Sequence, residues 1–250
     1  PVIFWIKQQI YKWVNKKVAR KSAHIITISD FVKNDLIGFT GISPDKITVT
    51  LESADKLPKG NEPVKSLIGK KFIMYVGRPT PHKNLRRLID AFALLQKKHP
   101  ELTLTLAGKK DSNYARHQAY VNEHGIKNVV FTGFISDKQL RWMYENTAVY
   151  CFPSLSEGFG LPGLEAMLHG APVASSTSTC LPETHGDAAH YFDPYDVEDI
   201  ARAIDDILSD EKLRRELIKK GKQHVKTFSW QRMAEQTLAV YEQYGNQNKN

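Results

Sequence analysis

The chain has 250 residues, 41% of them hydrophobic and 25% charged, with a formal net charge of +8. That length suits one large or two small domains, at roughly 100–200 residues each, and no run reaches the ~20 apolar residues of a membrane span. Two cysteines, Cys151 in an apolar run and Cys180 in a loop, have neither metal-ligand spacing nor the density of a disulfide framework, so both read as reduced thiols of a cytoplasmic protein. The surplus of positive charge admits anionic partners: phosphorylated ligands, acidic lipid or nucleic acid.

In chain order, residues 2–20 predict a basic amphipathic helix. Phe4, Trp5, Ile10, Trp13, Val14 and Val18 fall near helical spacing, and Lys7, Lys12, Lys16, Lys17, Arg20 and Lys21 add charge with no acid among them. Such a helix fits either peripheral contact with an anionic membrane, at the inner face of a cytoplasmic membrane, or packing against further polypeptide. The chain opens on Pro1, and residues 2–6 lack the charged leader of a secretory signal, so it reads as the continuation of a longer one. A strand at 25–28, a helix after Ser29 and Asp30, and a strand at 47–49 follow, a fragment of sheet. Pro58, Gly60, Asn61 and Pro63 mark a linker.

From Lys71 short apolar runs alternate with amphipathic stretches. Strands are predicted at 72–76, 102–107, 129–131, 149–153 and 172–174, and helices over 85–95, 114–124, 137–145 and around Glu165. The alternation predicts an α/β fold, a doubly wound Rossmann-like parallel sheet, with a partial second Rossmann-like domain at the N-terminus. Gly77, Gly108, Gly133 and Gly158 each follow a predicted strand, so their loops converge at one sheet edge, where such folds bind ligands. Helices over 197–208, 211–227 and 230–244 and a polar tail complete the chain. The expected organisation is 1–56 as the partial domain, 57–228 as the ligand-binding domain, and 229–250 as a terminal helix and tail.

Residues 157–165, Glu157-Gly158-Phe159-Gly160-Leu161-Pro162-Gly163-Leu164-Glu165, place two carboxylates around a glycine-rich turn that opens a helix. A helix N-terminus offers amides and partial positive charge to a phosphate. An ionised Glu accepts hydrogen bonds from neighbouring sugar hydroxyls, so one ligand carrying both sugar and phosphate fits the pair. Pro162 is expected at the first helical position, where its missing N–H costs nothing. Between the first strand and its helix, residues 77–84 (Gly-Arg-Pro-Thr-Pro-His-Lys-Asn) bring two cations into one loop. Arg78 suits bidentate hydrogen bonding to a phosphate and Lys83 serves as a point charge, while Asn84 is placed to cap the helix. His82, His169 and His185 flank these motifs and read as loop or packing histidines.

With both motifs in this order, each at a strand end, and with Thr132-Gly133-Phe134, Pro153-Ser154, Gly170-Ala171-Pro172-Val173, Leu181-Pro182-Glu183, Asp193-Pro194 and Phe228-Ser229-Trp230 at matching spacing, the chain resembles the retaining GT-B glycosyltransferases of glycosyltransferase family 4. The resemblance runs from about Ser22 to Tyr244. It implies a GT-B C-terminal domain binding a nucleotide-diphosphosugar as donor substrate, with no cofactor and no metal, and transfer to a glycan or lipid-linked acceptor. Arg78 and Lys83 would hold the diphosphate, Glu157 would face the transferred sugar, and Glu165 would hold the ribose hydroxyls. The amides of Gly158, Phe159, Gly160 and Leu161 would complete the phosphate and sugar contacts, and the backbone at Phe134 and Ile135 would meet the base. Gly77 and Gly108 would line the same cleft. The helix at 230–244 would cross back onto the acceptor-side domain, of which only the last portion, about residues 1–55, is recognisable. A non-catalytic donor-binding subunit is the alternative reading. An epimerase or phosphorylase is disfavoured because no lysine stands out as a pyridoxal anchor. Nucleic acid is excluded as a partner, because the basic residues are not interleaved with aromatics along one sheet.

Overall fold

The structure, a computed structural model, describes residues 2–60 and 62–245. The chain divides into two compact units, one of residues 1–52 with 228–250 and one of residues 53–227.

The smaller unit opens with α1 (Val2–Lys21), continues through β1 (Ile25–Thr27), α2 (Asp30–Thr40) and β2 (Ile47–Val49), and pairs its two strands in parallel with Ile25 opposite Ile47. Ser29 starts α2 by accepting a hydrogen bond from the Val32 amide, and Gly41 ends it at φ 71°, returning its N–H to the Ile37 carbonyl. A left-handed C-terminal cap of this kind suits glycine, which has no Cβ to clash. The core here is small: Ala19, Ile42 and Ile47, flanked by Ile25, Leu36 and Ile37.

The larger unit is a six-stranded parallel sheet. Its elements are β3 (Phe72–Val76), α3 (Leu85–Leu95), β4 (Thr103–Ala107), α4 (Ser112–Glu123), β5 (Val129–Gly133), α5 (Asp137–Asn146), β6 (Val149–Phe152), α6 (Leu161–Leu168), β7 (Val173–Ser176), α7 (Leu181–His185), β8 (Ala189–Phe192), α8 (Val197–Ser209) and α9 (Glu211–His224). The strand order is β5-β4-β3-β6-β7-β8. Strands β4, β6 and β7 are buried along their whole length, as expected of a parallel sheet covered on both faces. Against it α3 buries Leu85, Leu88, Ile89, Phe92 and Leu95 at helical spacing, and α8 buries Ile200, Ala203, Ile204 and Ile207.

From β3 the chain winds outward to β5, returns to β6 beside β3, and winds outward the other way. The switch point therefore lies between the C-terminal ends of β3 and β6. Adjacent connections diverge there and leave a crevice, and the loops that border it are 77–84 and 153–160. The predicted α/β doubly wound sheet is what forms.

Several boundaries differ from expectation. The first strand stops at Thr27, and β5 runs on to Gly133. Helix α6 begins at Leu161, so Pro162 takes its second position, and Glu165 lies beyond the first turn. Helix α9 ends at His224 and a 3-10 turn covers 225–227. Strand β8 and helix α7 had no counterpart among the predicted elements: β8 sets His190 and Tyr191 between its apolar ends and so is no apolar run, and α7 at five residues is too short to show a helical period. The smaller unit regains α10 (Trp230–Gly245), whose Tyr244 ring stacks on His24 at 4.2 Å. No described helix is long and apolar enough to cross a membrane.

Candidate functional site

Three glycines let the loops at the sheet edge close on one another. Gly77, at φ 150°, donates its N–H to the Ala107 carbonyl at 3.0 Å, and Gly108 donates to the Gly133 carbonyl at 3.1 Å. A Cβ at Gly108 would collide with the Gly77 carbonyl oxygen, so Gly108 does more than complete its own turn: it admits the neighbouring loop. Gly133, at φ 73°, donates its N–H to the Tyr114 hydroxyl oxygen at 2.6 Å, and the stem of Lys110 lies across its open face. Directly after it the Phe134 side chain is 89% exposed. Phe134 is therefore surface and not core, and Ile135 is half-buried beside it.

Arg78 projects from the loop after β3 with its side chain largely exposed, and its Nε stands 3.5 Å from Asp111 Oδ2. Asp111 is the N-cap of α4 and accepts hydrogen bonds from the Asn113 and Tyr114 amides. The Tyr114 amide above all, then the Asn113 amide and Arg78, hold its carboxyl below the usual carboxylate range against the effect of burial. Asp111 thus fixes the base of α4 and steadies Arg78.

Lys83 Nζ meets Glu157 Oε1 at 2.5 Å, and both side chains are mostly shielded from solvent, 20% and 13% exposed. The pair closes the switch-point crevice from its two sides. The Leu155 amide donates to the His82 carbonyl at 2.7 Å and ties the same two loops, and the Glu157 amide donates at 3.0 Å to Thr179 Oγ1 in the loop after β7. Asn84 is the N-cap residue of α3 but adopts φ 59° and makes no side-chain cap. Its buried amide donates instead to the carbonyls of Pro153 and Pro194. Tertiary contacts outcompeted the local cap, since an amide with two donors can join two loops whose carbonyls lack partners.

Glu165 sits on α6, facing Tyr144 of α5. The Tyr144 hydroxyl lies 3.2 Å from Glu165 Oε2 and 3.3 Å from the Pro162 carbonyl. Burial pushes the Glu165 carboxyl up, Asp137 and Asp55 add to that, and Tyr144 opposes it. His169 completes this corner, its Nδ1 at 2.8 Å from the Glu165 carbonyl and its Nε2 accepting the Leu57 amide at 3.2 Å. The turn before α6 is steep: Gly160 has φ 105° and its carbonyl accepts the Gly163 amide at 3.0 Å. Phe159 is buried, which withdraws its side chain from any ligand.

The predicted residues thus gather on neighbouring loops at one sheet edge, with Lys83 and Glu157 in direct contact and Arg78, on the same loop as Lys83, turned to Asp111. Sequence reasoning missed Asp111, Tyr144, Thr179 and the tertiary role of Asn84. Only Asp111 carried a local signal, an acid one residue before a helix, which is a common N-cap pattern. Among the described residues, no three or more His, Cys, Asp or Glu side chains come together as a group that could hold a metal ion.

This fold and crevice define a class, the GT-B glycosyltransferase architecture, and comparison with known proteins narrows it. The family model for glycosyl transferases group 1 matches residues 59–224, and the chain belongs to that family. The MMP alpha-(1->4)-mannosyltransferase of Mycolicibacterium hassiacum is 30% identical over 96% of this chain and 60% of its own length. O-antigen chain mannosyltransferase B of Escherichia coli is 31% identical over 87% of this chain and 60% of its own. The chain therefore spans about 60% of the length of these curated relatives. Sucrose-phosphate synthase from Thermosynechococcus elongatus superposes with a TM-score of 0.81 at 26% identity, over 94% of this chain and 61% of that one. HepE of Anabaena, solved in complex with UDP and glucose, shares the fold with a TM-score of 0.78 at 19% identity, over 90% and 65%.

Proposed function

We propose that this chain binds a nucleotide-diphosphosugar at the crevice between the loops after β3 and β6, and contributes the donor side of a retaining, metal-independent glycosyl transfer to an acceptor hydroxyl. The observation that carries this reading is the Lys83–Glu157 pair spanning the switch point, with Arg78 on the same loop as Lys83. In the reaction the bond from the anomeric carbon to the phosphate oxygen breaks, a bond from that carbon to the acceptor oxygen forms, and the acceptor hydroxyl's proton passes to the phosphate oxygen of the departing nucleoside diphosphate. Negative charge grows on the diphosphate as it leaves, and preorganised cations stabilise it most effectively in a site shielded from water. Arg78 and Lys83 take that role. Donor entry exchanges the Lys83 partner from carboxylate to phosphate and frees Glu157 to accept a hydrogen bond from a sugar hydroxyl. Glu165 accepts the ribose hydroxyls, the turn at 158–161 meets phosphate and sugar through its backbone, and the Phe134–Ile135 backbone meets the base. The two mannosyltransferase relatives support mannose as the transferred sugar, and the acceptor in this reading is a glycan or lipid-linked hydroxyl.

A second element of the reading is peripheral contact with an anionic membrane at the inner face of the cytoplasmic membrane. It is supported by α1, which exposes Phe4, Trp5, Ile10, Tyr11 and Trp13 among six cations and no acid.

A thermal-shift panel of nucleotides and nucleotide sugars tests the donor reading. The expected result is stabilisation by a nucleoside diphosphate and more by its mannosyl derivative, since a ligand that binds only the folded state raises its stability. Absence of any shift across the panel would refute it.

A further inference from the structure

Beneath the glycine-rich turn lies a histidine that the proposed reaction does not use. His185, at the end of α7, is fully buried. Its Nδ1 stands 3.1 Å from Ser175 Oγ on β7, its Nε2 stands 3.3 Å from the Gly160 carbonyl oxygen, and its ring lies against Phe152 at 5.6 Å between centroids. Burial drives its basicity down, to a pKa of about 4, so the ring is neutral near pH 7 and carries one N–H. A carbonyl oxygen only accepts, which assigns that hydrogen to Nε2 and leaves Nδ1 an acceptor facing the Ser175 hydroxyl, which also reaches the Ser176 carbonyl at 3.3 Å.

The glycines above the ring correspond to it. Gly163 has ordinary helical backbone, yet a Cβ there would collide with the imidazole; at Gly160 it would stand 2.8 Å from Leu181 Cδ2 and 3.2 Å from His185 Nε2. Glycine inside a helix costs about 1 kcal/mol relative to alanine. At Gly163 that cost makes room for the ring.

We infer that His185 is a positioning residue of the donor turn: by donating from Nε2 to the Gly160 carbonyl it sets the plane of the 160–161 peptide and so aims the Leu161 amide at the donor's diphosphate. A trans peptide is planar, with its C=O and N–H on opposite sides. With the Gly160 carbonyl turned inward to His185 and to the Gly163 amide, the Leu161 N–H turns outward. As the first amide of α6, it has no acceptor within the helix. Pro162 offers no N–H, so this one peptide carries a large share of what α6 can give an anion. The inference rests on the donor-site reading of the turn.

Calorimetric titration with UDP and GDP, and with uridine and guanosine by ligand-observed NMR, tests it on three proteins: the parent chain, His185→Leu and His185→Gln. His185→Leu is expected to weaken the diphosphate about tenfold, one charge-assisted hydrogen bond's worth, and to leave the nucleosides within about twofold. His185→Gln places an amide N–H where Nε2 stood and is expected to recover most of the loss. Long-range 1H–15N spectra of the parent chain are expected to show the Nε2–H tautomer of His185, a readout that needs no variant to fold. If the parent chain binds UDP or GDP while His185→Leu binds it equally well, or loses diphosphate and nucleoside alike, the positioning role is overturned and the donor site stands. An Nδ1–H tautomer overturns it as well. If the parent chain binds no nucleotide, the donor-site reading itself fails.

Discussion

At the scale of single residues, Arg78 and Lys83 differ in their surroundings, and that separates their expected phenotypes. Replacing either by alanine should weaken a nucleoside diphosphate by roughly 1.5–3 kcal/mol, the range for hydrogen bonds to charged groups. Only Lys83→Ala leaves a shielded carboxylate, that of Glu157, without its cation; removing one partner of such a pair leaves an uncompensated charge. Its melting temperature should therefore fall, whereas that of Arg78→Ala, exposed and lightly held, should not. Calorimetry and thermal melts on the two variants check both statements. Glu165→Ala should weaken a ribonucleotide far more than its 2′,3′-dideoxy analogue; equal losses would reduce Glu165 to a structural helix residue. The same carboxyl gives a pH signature. Its pKa is raised by burial, and the ionised form is the better acceptor, so the preference for ribonucleotide is full at high pH and fades as pH falls through that raised value, earlier than an ordinary carboxylate would titrate. Titration of the ribo-to-dideoxy affinity ratio against pH measures it.

At the scale of elements, α1 stands apart from the others. Its aromatic and aliphatic side chains are exposed nearly along the whole helix, and Ala19 is its one buried residue among those described. Elsewhere in the chain such side chains line a core, as Leu88, Ile89 and Phe92 do on α3. Under the membrane reading, the chain should co-sediment with vesicles containing anionic lipid and not with neutral ones, and Trp5→Glu with Trp13→Glu should abolish the effect. No sedimentation with either vesicle would assign α1 to packing against protein. The helices of the larger unit follow the opposite pattern. Their ends are set locally, by Asp111 for α4, Ser136 with Gln139 for α5, Asp196 for α8 and Asp210 for α9, whereas α3 and α6, the two that face the crevice, start from left-handed residues without a side-chain cap. The N-termini nearest the proposed ligand thus carry no side-chain cap that would compete with an anion for their first amides.

At the scale of the whole molecule, the donor-side groups all stand on residues 53–227, while residues 1–52 contribute two short strands and two helices. Transfer also requires an acceptor hydroxyl held against the anomeric carbon, and such positioning can supply roughly 7–11 kcal/mol of barrier reduction. The 250-residue chain is therefore expected to bind a nucleotide sugar yet turn it over slowly, and to gain activity when the part of its longer relatives that lies outside the matched stretch is supplied. Assays of donor consumption with and without that part test this. Turnover of the unaided chain on the order of 1–10³ per second would overturn it.

The order of strand and helix apart from α7 and β8, the parallel sheet, the placement of Gly77, Gly108 and Gly158 after strands and the two charged motifs were legible in the sequence, because apolar period and turn residues are local properties of the chain. Asp111 carried an N-cap pattern that went unread, and its hold on Arg78 had no local signal at all. What the tertiary structure decided is which groups meet. Lys83 and Glu157 are 74 positions apart, and only the reversal of winding between β3 and β6 makes them partners. Asn84 was drawn from its local cap to two distant carbonyls, Tyr144 was brought to Glu165 from another helix, and Gly163 acquired its reason only from the imidazole of His185 beneath it. A local pattern specifies an element through contacts three or four residues long. A site is specified by contacts between elements, whose free energies depend on burial and direction that exist only once the sheet has formed.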